Sequence, residues 1–155
     1  MIKYSPNGGC YYPNEFYFSA AYQSLANSAR NLLHCFLNEL RWKKGRGKNR
    51  KFINNGEVSF TEIQFKAMFG SASATYLNAR NQLIRVGIIR QTYRGGNCRG
   101  DMAKYKILAL TNLPTREERW REYPQRNWGK DIPRVKETLV GVKTRFKSGQ
   151  SGRKH

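Results

Sequence analysis

At 155 residues the chain is long enough for one compact domain with extensions, and for a core that needs neither metal nor disulfides. Its 29 Lys and Arg outweigh 10 Asp and Glu to give a formal net charge of +19, enough to build a potential that collects polyanions. The three cysteines, Cys10, Cys35 and Cys98, are odd in number and widely spaced, which excludes a disulfide framework and a paired-cysteine zinc site and fits a reducing compartment.

Residues 1–21 set Tyr4, Tyr11, Tyr12, Phe16, Tyr17 and Phe18 among Gly, Pro and Asn without a helical period. This predicts an extended arm whose alternate aromatics close over the core, the alternative being a surface that stacks single-stranded bases. Residues 22–42 read as one helix, capped near Asn27 or Ser28, with Leu25, Ala29, Leu32, Leu33, Phe36, Leu37 and Leu40 on a wide apolar face. His34 and Cys35 point about 100° apart on such a helix and cannot chelate together. Both are read as packing residues. The run Lys43-Lys44-Gly45-Arg46-Gly47-Lys48-Asn49-Arg50-Lys51 follows, too charged and too glycine-broken to pack, so a loop is predicted over residues 43–51. Lys44, Arg46, Lys48 and Arg50 can follow phosphates without demanding a base sequence, or simply face solvent. The Gly-Arg-Gly-Lys within it lacks the spacing and the Ser or Thr of a nucleotide-binding loop.

Residues 57–60 read as a short strand after the turn at Asn54-Asn55-Gly56. A capping box, either Ser59 with Glu62 or Thr61 with Gln64, opens a helix over residues 61–69 that is expected to turn Ile63 and Ala67 inward. After a turn at Gly70-Ser71, residues 72–86 carry Tyr76, Ala79, Leu83 and Val86 three or four apart, one buried stripe of a second helix. Ser73, Thr75, Asn78, Asn81, Gln82 and Arg85 lie away from that stripe. Gly87 stops the helix, Ile88-Ile89 begins a strand, and its partner over residues 104–110 alternates basic residues with Tyr105 and Ile107. Between the strands, Arg94 to Met102 form a Gly-rich tip expected to be flexible and cationic.

The run Gly70-Ser71-Ala72-Ser73-Ala74-Thr75-Tyr76, with Ala79, Leu83, Gly87, Ile88-Ile89 and Ala103-Lys104-Tyr105-Lys106-Ile107, resembles the winged helix-turn-helix domains of small prokaryotic, phage or plasmid regulators and replication proteins. The likeness covers about a third of the chain, and more than half if the helix over residues 22–42 is the family's preceding helix. It implies an α+β fold, a helical core with a two- or three-stranded wing, in which that preceding helix supports the reading helix from behind. It also implies that residues 72–86 enter the major groove of DNA and that the wing reaches the backbone or minor groove. Two positions depart from the pattern. Arg80 stands where the family has an aliphatic residue, so its stem is expected to line the core while its head emerges. Leu77 is apolar on the face expected to be wet, where it can meet a thymine methyl or a protein.

Beyond Leu113-Pro114 the character changes. Thr115 followed by Glu118 is a further capping box, predicting a short charged helix to about Tyr123 with Trp120 and Tyr123 on one side. Trp120 and Trp128 are expected to dock this appendage, residues 114–142, onto the domain or onto a second copy, which would make a homodimer; base stacking is the other use. Residues 135–142 fit a helix or a strand. Residues 143–155 read as a basic, flexible tail carrying Arg145 and Lys147.

Charge is spread along the chain: nine cations against two acids over residues 1–56, eight against three over 57–113, and twelve against five over 114–155. Basic flanks on both sides of the reading head argue for extended phosphate contact. Enzymatic chemistry needs a constellation, and the sequence offers no His-x-His pair, no conspicuous carboxylate pair and no Gly-x-Ser-x-Gly. His34 and His155 stand far apart.

The expectation is therefore a non-enzymatic, cofactor-free protein that binds double-stranded DNA in a sequence-guided way, as a transcriptional regulator or a replication-initiation accessory. The expected nucleic-acid-binding residues are Lys44, Arg46, Lys48, Arg50, Ser73, Thr75, Asn78, Asn81, Gln82, Arg85, Arg94, Arg99, Arg145 and Lys147. The competing classes are an RNA-binding or ribonucleoprotein-associated basic protein, and a winged-helix interaction module with an acidic partner. With neither a secretory leader pattern nor an uncharged stretch of membrane-spanning length, a soluble, cytoplasmic, nucleoid-associated protein is expected.

Overall fold

A computed structural model describes residues 9–10, 12–41, 54–109 and 118–125. Among them run α1 (Asn14–Tyr17), α2 (Ala20–Gln23), α3 (Asn27–Asn38), α4 (Glu62–Phe69), α5 (Ser73–Arg85), β1 (Ile89–Tyr93), β2 (Lys104–Ile107) and a 3-10 turn, Arg119–Arg121. The chain is of mixed α+β class, its two strands forming one antiparallel sheet. The loop expected over residues 43–51, Thr115, Trp128, residues 135–142 and the tail with Arg145 and Lys147 lie outside the described residues.

The core forms where α3 lies against α5. Ala29, Leu32, Leu33 and Phe36 of α3 meet Ala79 and Leu83 of α5, and all six are fully buried. Where one helix was expected over residues 22–42, the chain makes two. Ser24 closes α2 by donating to the Ala21 carbonyl (2.8 Å), Leu25 turns inward, and α3 starts from Ala26 without a side-chain cap. Cys35 packs into the core as expected, but His34, one step round the helix, is exposed.

Of the two possible capping boxes, Thr61 and Gln64 form the one that opens α4. The Thr61 hydroxyl accepts from the Gln64 amide (3.3 Å) and the Gln64 side chain accepts from the Thr61 amide (2.8 Å). The face buried by α4 is not the expected one. Ile63 is 80% exposed and Ala67 is exposed, whereas Phe65 is buried with its ring 4.7 Å from that of Phe69 and 5.8 Å from that of Tyr76. Phe65 is the one buried residue of the helix, and the larger apolar area of its ring favours that rotation over one that buries Ile63. Gly70 ends α4 in the left-handed conformation (φ 62°), and Gly87 does the same after α5 (φ 78°). At the latter the Ile88 amide reaches back to the Leu83 carbonyl (3.0 Å), the longer bond of a Schellman closure.

In the ribbon Ile89 pairs with Ile107, Arg90 with Lys106 and Gln91 with Tyr105, after which a bulge shifts the register. The strand expected at residues 57–60 shrinks to one bridge, Val58 to Tyr105 (2.8 and 3.2 Å). Side chains have taken the neighbouring backbone groups. The Asn55 carboxamide both donates to the Ile107 carbonyl (3.0 Å) and accepts from its amide (2.8 Å), standing in for a strand residue. On the other side the Tyr76 hydroxyl donates to the Phe60 carbonyl (2.6 Å).

The described part of the N-terminal segment contains two short helices where an extended arm was expected, because Ser19 caps α2 (3.2 Å) and ties back to the Phe16 carbonyl (2.6 Å). Of its described aromatics, Phe16 enters the core and Tyr12 packs against it, whereas Tyr17 and Phe18 are exposed. Phe16 is buried and meets the edge of Trp120 at 5.2 Å. Of the helix expected through Tyr123, the described residues 118–125 show a single 3-10 turn, and Trp120 docks onto its own domain, 1% exposed. Arg121 stacks on the Trp120 ring (4.4 Å) and pairs with Glu15 and Glu118, so the two segments clamp each other.

Two outcomes follow. Trp120→Ala should lower stability by about 3–5 kcal/mol in urea unfolding, the usual range for emptying a buried Trp site, and a variant as stable as wild type would show that the segment does not close the core. Burial, then the nearby Glu39 carboxylate, pushes the Cys35 thiol from its ordinary 9.0 up to about 12. The folded thiol keeps its proton while the unfolded one loses it, so folding should weaken as pH rises from 9.0 towards 12. Cys35→Ala should flatten that limb of the stability profile, and a limb of unchanged slope would assign the loss to other groups.

Candidate nucleic-acid interface

Helix α5 presents three different faces. Tyr76, Ala79, Leu83, Ile84 and Val86 point inward, as the spacing requires. Opposite them Ser73, Ala74, Leu77, Asn78 and Arg85 are exposed, Leu77 by 41%. Between lie Thr75, Asn81 and Gln82, each half-buried. The sequence reading thus placed Ser73, Asn78 and Arg85 correctly in solvent, but it omitted Ala74, which a period of 3.6 puts midway between them.

Gln82 has a different employment. Its carbonyl oxygen accepts from the Ala26 amide (3.0 Å), tethering the turn between α2 and α3 to the flank of α5. The oxygen of this side chain is therefore engaged within the fold, while its amide group remains a donor. No sequence signal could have shown this, because the partner is 56 residues away. A cleft of about 560 Å³ opens between that turn, at Ser24 to Ala26, and Asn78, Asn81 and Arg85, with Tyr123 on its wall. Arg80 departs from the expectation that its head emerges, since its Nε is enclosed. It is half-buried, with its head turned toward Asn81 and its charge close enough to oppose the burial that raises the Tyr76 and Tyr105 phenols.

The ribbon divides its side chains by the period of two. Ile89, Tyr105 and Ile107 are buried, while Arg90 and Lys104 are exposed and Lys106, opposite Arg90, is half-buried. Arg90 and Lys106 are therefore register partners on the outer face. Arg90 was not among the expected site residues, although alternation from Ile89 would have found it.

The tip that the sequence predicts to be flexible is built as a closed loop. Gly95, Gly96 and Gly100 adopt φ of 68°, 84° and 86°, and a side chain at Gly95 would run into the Ala103 backbone nitrogen at 2.5 Å. Arg94 and Arg99 stand exposed on this loop. Arg41 and Asn54, which flank the undescribed basic segment, are joined through the Asn54 carboxamide: it accepts from the Arg41 amide (2.8 Å) and donates to the Glu39 carbonyl (2.9 Å). Lys44, Arg46, Lys48, Arg50, Arg145 and Lys147 lie outside the described residues.

Among the described residues no group of three or more His, Cys, Asp or Glu could hold a metal ion, and no helix is long and apolar enough to cross a membrane. The described arrangement is a polar helix face and a cationic ribbon, suited to contact with an extended anionic partner.

Gln82→Ala should lower stability by about 0.5–1.5 kcal/mol in urea unfolding, the usual net worth of one hydrogen bond. Gln82→Glu, which keeps an acceptor at the same reach, should recover most of the loss. Equal losses in both would mean that the contact with Ala26 contributes nothing.

No family model, no curated protein and no solved structure matches this chain.

Proposed function

We propose that the chain is a winged helix protein that binds double-stranded DNA in a sequence-guided way, with α5 in the major groove and the β1–β2 ribbon as its wing. The supporting observation is the order and seating of the elements: α3, the Val58 bridge, α4, a left-handed turn, α5, then a hairpin whose inner strand face closes the core. That order leaves one whole face of α5 unburied, carrying Asn78 and Arg85 with Asn81 at its margin. The major groove of B-form DNA is about 12 Å wide and accepts a helix, whereas the A-form groove is too deep and narrow for side chains to read. A projecting helix therefore favours DNA over duplex RNA.

In this reading the net charge of +19 supplies affinity and α5 supplies choice. The cations at Lys44, Arg46, Lys48, Arg50, Arg145 and Lys147, with Arg94 and Arg99 on the wing, neutralise phosphates. Asn78, Asn81 and Arg85 meet base edges, as Asn does with adenine and Arg with guanine. Gln82 contributes to reading only through its side-chain amide, since its oxygen holds the α2–α3 turn.

Competition between duplex DNA and duplex RNA over a salt series tests the partner. Preference for RNA would transfer the chain to the RNA-binding class, and binding to neither would leave an acidic protein partner. Replacing Asn78, Asn81 and Arg85 together by Ala should erase sequence preference in a selection from random DNA, each base contact being worth about 1–3 kcal/mol of discrimination. Non-specific affinity should fall little. The same selected site in wild type and variant would remove α5 from the groove.

A further inference from the structure

Asp101 is the one acidic residue between Glu62 and Glu117, and it stands on the wing among Arg90, Arg94, Arg99, Lys104 and Lys106. On a surface that meets a polyanion, a carboxylate repels the ligand, so by charge alone this position weakens binding. The geometry points to another role: Asp101 is a positioning residue that locks the wing tip, so that Arg94 and Arg99 meet the phosphate backbone in a preset arrangement. This inference rests on the duplex-binding reading above.

Three parts of the residue hold the loop. One oxygen of its carboxylate accepts both from the Tyr93 hydroxyl (3.0 Å) and from the Asn97 amide (3.0 Å). Its carbonyl accepts from the Gly96 amide (2.9 Å), and its own amide donates to the Cys98 carbonyl (3.1 Å). Asn97 closes the circuit, its side-chain amide donating to the Tyr93 hydroxyl oxygen (3.3 Å). The Lys104 ammonium lies 5.8 Å from the centre of the Tyr93 ring, so the aromatic at the root of the wing is fixed from both sides. Because the carboxylate is engaged by a hydroxyl and an amide, it forms no ion pair with Arg94 or Arg99, and both stay exposed. Six residues with three left-handed glycines would otherwise carry a large ordering cost on meeting DNA, and here the ordering precedes binding.

The two effects of the carboxylate have opposite signs, which makes the proposal testable. Charge alone predicts that Asp101→Ala and Asp101→Asn both tighten binding to duplex DNA. Positioning predicts that they diverge. Asp101→Ala removes the acceptor and should weaken binding about tenfold, with the slope of log affinity against log salt falling by about 0.9 for each phosphate that is no longer neutralised. Asp101→Asn keeps an acceptor oxygen and should stay within about twofold of wild type or bind more tightly, charge removal offsetting a looser tip. Tyr93→Phe, which deletes only the hydroxyl, should weaken binding in the direction of Asp101→Ala. In an Arg94→Gln, Arg99→Gln background Asp101→Ala should cost nothing further, because it acts through those side chains.

Wild-type affinity or better in Asp101→Ala would overturn the proposal, as would an undiminished effect in the background lacking both arginines. Amide exchange at Gly96 and Asn97, measured without DNA, separates its failure from that of the duplex reading. Unchanged exchange in Asp101→Ala, with wild type binding duplex, overturns the positioning role alone. Faster exchange, with wild type failing to bind duplex, overturns the ligand and with it the proposal.

Discussion

Tyr105 is where the separate parts of this fold meet. Its ring lies 5.0 Å from that of Phe36 in α3, its backbone bridges to Val58, and its strand neighbour is Gln91 in β1. Its phenol lies close enough to Tyr76 and Arg80 of α5 for each to influence its ionisation. One residue, 1% exposed, therefore fixes the ribbon relative to both long helices. An aromatic pair of this kind contributes about 0.5–1.5 kcal/mol beyond its buried area, but its larger effect is on register. A slip of one residue in β2 would turn Tyr105 to solvent and Lys104 or Lys106 to the core, a change no relaxation of side chains could absorb.

What the sequence conveyed well was whatever depends on spacing within one element. The buried stripe of α5, the apolar face of α3, the Thr61 and Gln64 box and the stops at Gly70 and Gly87 all follow from residues within a turn or two of one another. The errors arise where a remote partner decides. The face of α4 depends on whether Phe65 can reach Tyr76, and a short amphipathic segment reads equally well with Ile63 inside. The missing strand at residues 57–60 is decided by Asn55 and Tyr76, whose side chains satisfy Ile107 and Phe60 in place of backbone groups. Trp120 was expected to dock, but only the structure shows that Phe16 receives it.

Polar residues divide along the same line. Gln82 looks like a reader from sequence and Asn54 and Asn55 like turn residues, yet all three satisfy backbone groups of distant segments. Each such bond is worth about 1 kcal/mol net, but leaving the backbone group unpaired costs more, so these side chains are committed to the fold. For the candidate site this is a subtraction of one group: the Gln82 oxygen is already engaged within the fold.

The subtraction matters because long-range charge cannot replace short-range geometry. At physiological ionic strength a surface charge is screened beyond about 8 Å, so a net charge of +19 draws the chain to a polyanion without distinguishing one base sequence from another. Under the proposed reading, discrimination rests on the few side chains held at fixed distances from base edges, and it is only as good as the rigidity of what holds them. Rigidity is what the internal polar contacts provide. Gln82 fixes α5 against the α2–α3 turn, Asn55 fixes the ribbon to the segment before α4, and the Tyr105 ring fixes both to α3. The residues engaged within the fold thus determine how accurately the exposed ones can be placed.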